Sequence, residues 1–191
     1  MPYISCPRCA VTTYCVTQEE CPLCGTLLDA GGVAHGPLPR TQTTGPIGRA
    51  LRLARERIGI DAALLTEVRD EQEIVRHIVQ DGAFPDVAAG LAAPLRDTIC
   101  LRLLEGRIPN LVADVGAEPE LRELPGVAAN GIGAYLGVHL TAADARLYLL
   151  CCLAREARPD LGDDDVRALR SVARRLRVTL DAGMIVPYAT A

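Results

Sequence analysis

PLRDTICLRLLEGRIPNLVADV (residues 94–115), GIGAYLGVHL (131–140), TAADA (141–145) and RLYLLCC (146–152) make up the stretch that decides the fold. Its first part reads as a short helix, because Leu95, Ile99 and Leu103 recur at i, i+4 and i+8 and make one face apolar. Pro94 suits the first turn, where a missing N–H costs nothing, and Asp97 suits the positive N-terminal end. Gly106 and then Pro109 stop the helix. Strand-like runs follow at 111–115, 134–140 and 147–154, and the polar turn over 141–144 joins the last two as a hairpin. In the second run Leu136, Val138 and Leu140 share one face, with Tyr135, Gly137 and His139 on the other. The third is apolar or small on both faces, as expected of a central strand covered on both sides.

The order of short motifs carries a resemblance. PL-x-D-x-x-C (94–100), G-R-x-P-x-x-V-x-D (106–114), G-x-x-x-Y-L-G-V-x-L (131–140) and a strand ending in LCC (150–152) together resemble the GAF domain family. The resemblance covers residues 46–182 and rests on order and spacing, since no single motif is diagnostic. It implies an α+β fold: an antiparallel sheet flanked by helices, with a small-molecule pocket on one face, serving as a sensory module. It also implies ligand-binding candidates at Asp97, Cys100, Asp114, Tyr135 and His139. The long connections over 80–93 and 117–132 would border the pocket. Phe84, in the first, is equally a lid or a core residue.

Several activities of that family lack their residues here. The cyclic-nucleotide signature N-K-x-F-x-D-E is missing from a chain with no Lys and one Phe. Bilin-anchoring cysteines are followed closely by His or aromatic residues, whereas Leu101, Arg102 and Leu103 follow Cys100. Methionine sulfoxide reductases of this fold need cysteines before the GV-x-L strand, and 126–133 has none. No catalytic triad, carboxylate dyad or metal-hydrolase motif appears, so the expectation is a non-catalytic protein.

The N-terminal stretch is different in kind. Cys6-Pro-Arg-Cys9, eleven residues, then Cys21-Pro-Leu-Cys24-Gly25 form two C-x-x-C knuckles. Each tight turn aims two thiolates at one ion, and four soft ligands suit tetrahedral zinc. Residues 1–30 therefore resemble a zinc ribbon. A segment this small cannot build its own core, so structural Zn2+ would supply its folding energy. Two disulfides, an iron centre on the same thiolates, or a redox switch that ejects zinc are the rival readings. Cys15 lies between the knuckles as a bystander thiol.

The remaining organisation is a linker over 31–46, the GAF-like domain over 47–182 and a tail over 183–191. Ile47, Leu51, Ala54 and Ile58 stripe a first helix, and strands are expected over 61–68 and 73–79 around a turn at 69–72. In the second, alternation puts Ile74, Arg76 and Ile78 on one face and Val75, His77 and Val79 on the other. Residues 163–183 read as the last helix, with Asp163, Asp164 and Asp165 at its start and a seam of Val166, Leu169, Ala173, Leu176 and Leu180. Those narrow apolar stripes predict either a homodimer or helices that cover the sheet. Cys100, Cys151 and Cys152 are expected as small buried hydrophobes, the last two facing opposite ways along a strand.

Composition bounds the partners. The chain of 191 residues is 49% hydrophobic, enough for a real core. Its net charge of −4 creates no field attracting nucleic acid, and residues 1–45 carry only Arg8 and Arg40 as cations. With no Lys, Schiff-base and P-loop lysine chemistry are excluded. No apolar run approaches the about 20 residues that cross a bilayer, and no signal pattern opens the chain, so no membrane association and a cytoplasmic location are expected. The reading is a regulator with an unidentified small-molecule ligand and an unidentified protein partner, or an interaction scaffold whose pocket is filled. For the N-terminal unit, native mass spectrometry of the full chain should show that Cys21→Ser or Cys24→Ser loses one zinc equivalent relative to wild type. All four thiols free without metal would remove the ribbon.

Overall fold

A computed structural model describes residues 3–5, 12–14, 33–34 and 45–182; of the first three segments it describes the strand pairing alone. Cys6, Cys9, Cys21 and Cys24, expected to hold zinc, lie outside the described residues, as does the tail over 183–191. The described chain runs β1 (Tyr3–Ser5), β2 (Thr12–Tyr14), β3 (Val33–Ala34), α1 (Gly45–Ile58), β4 (Ala62–Arg69), β5 (Gln72–Gln80) and β6 (Leu91–Pro94). Then follow α2 (Ile99–Leu104), β7 (Leu111–Val112), α3 (Pro119–Arg122), α4 (Pro125–Asn130), β8 (Ala134–Thr141), β9 (Leu147–Ala154) and α5 (Asp163–Asp181). Within the stretch read as a linker, 31–46, Val33–Ala34 form β3, and α1 begins at Gly45.

One sheet organises the molecule, in the order β3-β1-β2-β6-β5-β4-β9-β8-β7. From β6 to β7 every pairing is antiparallel. β2 joins the edge strand β6 in parallel, Thr12 opposite Leu91, so the N-terminal strands extend the same sheet. β4 and β9 are central and buried along nearly their whole length. Both are apolar on both sides because both faces are covered.

On one face lie α1 and α5. Ile47, Leu51, Ala54 and Ile58 of α1 pack with Leu169, Ala173, Leu176 and Leu180 of α5 over Leu65, Leu136, Val138 and Leu150. The two apolar stripes thus cover the sheet. Gly59, with φ +67, takes the left-handed conformation that ends α1. At the start of α5 the Asp165 carboxylate accepts the Gly162 N–H at 2.9 Å, closing a cap on three acidic residues. A second core, under α2, α3 and α4, gathers Leu64, Val75, Ile78, Ile99, Leu121, Val127 and Leu149 on the opposite face. Burying each such Leu or Val contributes about 1.5–3 kcal/mol.

Four expectations change. The helix expected from Pro94 is split: Pro94 ends β6, Leu95–Asp97 form one 3-10 turn, and Thr98 is extended (φ −114, ψ 155) before α2 begins. Residues 113–115 leave the strand, so β7 is only two residues long. The connection over 117–132 folds as α3 and α4, each with Pro at its start and Gly131 (φ +60) closing the second. The alternation of β5 is interrupted: Leu65 pairs with His77 and Thr66 with Val75, leaving Arg76 as a bulge. Val75 and Ile78 therefore share the α2 side while Val79 joins the α1 side. Arg76 uses its odd position to bind buried Glu67 at 2.5 Å. The neighbouring hairpin turn has Asp70 and Glu71 at φ 50 and 59, the paired left-handed geometry of a two-residue loop. Phe84 is fully buried in the second core, clamped by Gln80, whose amide bonds the Phe84 N–H and C=O at 2.9 Å each. It is a core residue and no lid.

His77, opposite Leu65, is half-buried, and desolvation, aided by the Arg76 charge, holds its imidazole down at about 4 from an ordinary 6.5. Between pH 4 and 6.5 the unfolded chain then binds a proton that the native chain refuses. Its stabilising effect is complete above pH 6.5 and is lost as pH falls through that window. Urea midpoints measured from pH 7 downwards should fall across it, and His77→Gln should flatten that slope.

Candidate functional site

A cavity of about 120 Å3 lies between the sheet and the α2–α4 layer. Its sheet wall is Leu64 and Thr66 of β4, Glu73 and Val75 of β5, Tyr135 of β8, and Cys151 and Leu153 of β9. These positions meet because the ladder puts Leu64 opposite Cys151, Leu153 opposite Tyr135 and Thr66 opposite Val75. Asp97, Thr98, Ile99 and Cys100 supply the wall from the 3-10 turn and α2; Gly126, Val127 and Asn130 supply it from α4.

The walls are largely apolar, with one polar cluster. Cys100 Sγ lies 3.4 Å from Cys151 Sγ and 3.3 Å from the Tyr135 hydroxyl, which is itself 3.6 Å from Cys151 Sγ. Glu73 offers a carboxylate oxygen such that it and both sulfurs lie within 4.8 Å of one another. All four residues are buried. The hydrogen bond to Cys151, then burial, push the Cys100 thiol well above its ordinary range. Burial, then the neighbouring Cys100, do the same to the Tyr135 phenol. Both stay protonated at neutral pH, so Cys100 is no ready nucleophile. Thr66 also lines this space; its Oγ1 is buried and has no hydrogen-bond partner among the described residues.

Of the five expected ligand residues, Asp97, Cys100 and Tyr135 line the cavity. Asp114 does not: its carboxylate accepts the Ala117 N–H at 3.1 Å and shapes the turn after β7. His139 does not either; it is exposed, although its face of β8 carries Tyr135, because the cover on that face ends before it. His77 sits across the sheet. Cys151 and Cys152 face opposite ways, Cys151 into the cavity side and Cys152 into the α1–α5 core.

Glu73, Thr66 and Gly137 were not singled out from the sequence. The signal for Thr66 is a hydroxyl that follows the apolar run Ala62–Leu65 of β4; Glu73 carries no such signal, because β5 also holds Gln72, Arg76, His77 and Gln80. Gly137 is needed because the Tyr135 ring lies along the strand over it: a Cβ there would overlap the Tyr135 hydroxyl and ring.

Solved structures share this fold. The blue-light absorbing form of the Thermosynechococcus elongatus PixJ GAF-domain superposes with a TM-score of 0.57 at 15% identity, over 70% of this chain and 82% of that one. The chain has the GAF-domain fold. The phycocyanobilin-bound GAF domain from a cyanobacterial phytochrome matches with a TM-score of 0.55 at 17% identity, over 67% of this chain and 78% of that one. The chromophore-binding domain of the R. palustris bacteriophytochrome RpBphP3 gives 0.54 at 15%, over 70% of this chain. This chain spans about half of that protein's length, 52%. No family model matches the chain, and no curated protein matches it. The GAF fold therefore rests on the sheet order and its two helical layers. Among the described residues no helix is long and apolar enough to cross a membrane.

The contact of Tyr135 with Gly137 is testable by a double-mutant cycle. Gly137→Ala should destabilise the protein by about 1–3 kcal/mol in urea, as overpacking does. In a Tyr135→Ala background the same change should cost far less, a coupling of about 0.5–3 kcal/mol.

Proposed function

We propose that the chain is a non-catalytic sensory or regulatory protein whose GAF-fold domain binds a small molecule in the cavity between the sheet and α2–α4. The observation that carries this reading is the Thr66 hydroxyl, buried without a partner in an apolar cavity. An unmade hydrogen bond of this kind costs about 1–3 kcal/mol, and a ligand with one polar atom would relieve it. Cavity size sets the ligand class. A cavity of about 150 Å3 accepts benzene, and pockets for drug-sized molecules run to about 300–1,000 Å3. At about 120 Å3 the site suits a ring-sized molecule and is too small for a bilin of the kind named for its structural neighbours.

The signal would leave through protein contact. Leu53 of α1 and Val178 of α5 are the large apolar side chains that stay exposed among the described residues, and they are the proposed contacts of a homodimer or protein partner. Structural Zn2+ on Cys6, Cys9, Cys21 and Cys24 completes the proposal; what supports it is the knuckle spacing. The small size of the cavity also supports a second reading, an interaction scaffold in which side chains fill the space.

Native mass spectrometry of freshly purified full-length protein, before and after mild unfolding, separates the two. The sensor reading expects a small organic adduct released on unfolding and lost in Val127→Phe, which fills the cavity. Thr66→Val should stabilise the ligand-free protein, by about 1 kcal/mol, and weaken adduct retention. A chain that never carries an adduct and is merely stabilised by Val127→Phe is a scaffold.

A further inference from the structure

Glu73 poses a problem that the small-molecule reading does not absorb. The residue is buried, with 9% exposed. None of the ion pairs among the described residues includes it. Nearby Glu67, also buried, has Arg76 as its counter-ion at 2.5 Å. Glu73 lies instead beside two thiols, one of which, Cys100, hydrogen-bonds it, and a buried carboxylate without a cation is costly unless it binds a metal.

The neighbouring groups have the geometry of a coordination site. With about 2.3 Å bonds to sulfur and about 2.0–2.2 Å bonds to oxygen, a tetrahedral ion holds two sulfurs about 3.8 Å apart and each sulfur about 3.6 Å from an oxygen. Cys100 Sγ, Cys151 Sγ and Tyr135 Oη form a triangle with sides of 3.4, 3.3 and 3.6 Å. It needs to open by only a few tenths of an ångström. The Glu73 oxygen, within 4.8 Å of both sulfurs, puts a hard anionic ligand beside them. The three ligands come from three elements, β5, α2 and β9, so the folded core assembles the set.

We propose that Glu73, Cys100 and Cys151 form a buried metal site, separate from the N-terminal knuckles, that takes a divalent borderline-soft cation of the zinc kind, with Tyr135 at the fourth side. Two thiolates and one carboxylate match zinc in ligand type and number. Binding releases the thiol protons to solvent and gives Glu73 its missing positive partner. The Tyr135 hydroxyl either completes the tetrahedron or hydrogen-bonds a thiolate while the fourth position opens to the cavity. Three protein ligands beside an open position is the pattern of a metal that also meets a small molecule.

The test uses the full chain, stripped by a chelator under reducing conditions and titrated with Co2+ and then Zn2+. Bound metal is counted by native mass spectrometry, and thiolate-to-cobalt charge-transfer absorption reports the sulfurs. Wild type should take one equivalent more than Cys100→Ala or Cys151→Ala. Cys152→Ala, whose side chain points to the other face, should match wild type. Glu73→Gln keeps the shape and should weaken that equivalent at least tenfold in Zn2+ competition, which covers the case in which a cysteine variant fails to fold. Equal metal uptake and equal absorption in wild type, Glu73→Gln and the folded cysteine variants would overturn the site. So would a wild-type chain in which Cys100 and Cys151 are found joined as a disulfide and take no metal after reduction. Neither result depends on whether an organic adduct is found.

Discussion

β4 is hydrogen-bonded along both edges, to β5 and to β9, and buried on both faces. Everything else is hung on that constraint. The ladder decides which residues of four strands share a face, and so divides the core into two parts that never mix. One part is closed by α1 and α5 with long aliphatic side chains. The other is closed by shorter helices that leave a cavity. A one-residue slip in any of these pairings would exchange the two sets and bury the wrong groups. The bulge at Arg76 is where the sheet departs from strict alternation, and the departure is used. It aims Arg76 at Glu67 while keeping Val75 in the cavity wall.

The two buried acids on neighbouring strands show how the same residue type takes different roles. Glu67 has a guanidinium beside it and is a structural ion pair. Glu73 has thiols beside it and an apolar cavity in front of it. A protein that only had to be stable would gain nothing from the second arrangement, since an aliphatic side chain of similar volume would avoid the desolvation cost. Thr66 repeats the point with a neutral hydroxyl. A polar group held without a partner in an otherwise apolar space, as the Thr66 hydroxyl is, is where a binding function is read.

Much of the frame was legible in the chain. The stripes Ile47-Leu51-Ala54-Ile58 and Val166-Leu169-Ala173-Leu176-Leu180 are strong because helical spacing is local, and each of those residues is buried. The hairpin of β8 and β9 was legible from two apolar runs around a short polar turn, and the opposed directions of Cys151 and Cys152 follow from the period of a strand. β6 was hidden because four residues, Leu91 to Pro94, carry too little pattern, and they become a strand only by pairing with β5 and β2. α3 and α4 were hidden by the Pro and Gly content that also marks loops.

The candidate site divides along the same line. By itself the sequence determined the two amphipathic helices, the strand faces, the GAF-like order of motifs and the paired N-terminal cysteines, because these depend on neighbours within a few residues. Only the tertiary structure decided that Tyr135 enters the cavity while His139, on the same face, reaches solvent. It also decided that Cys100, Cys151 and Glu73, far apart along the chain, meet at one point. Strand alternation tells which way a side chain points; how deeply it is covered depends on elements that arrive from elsewhere in the chain.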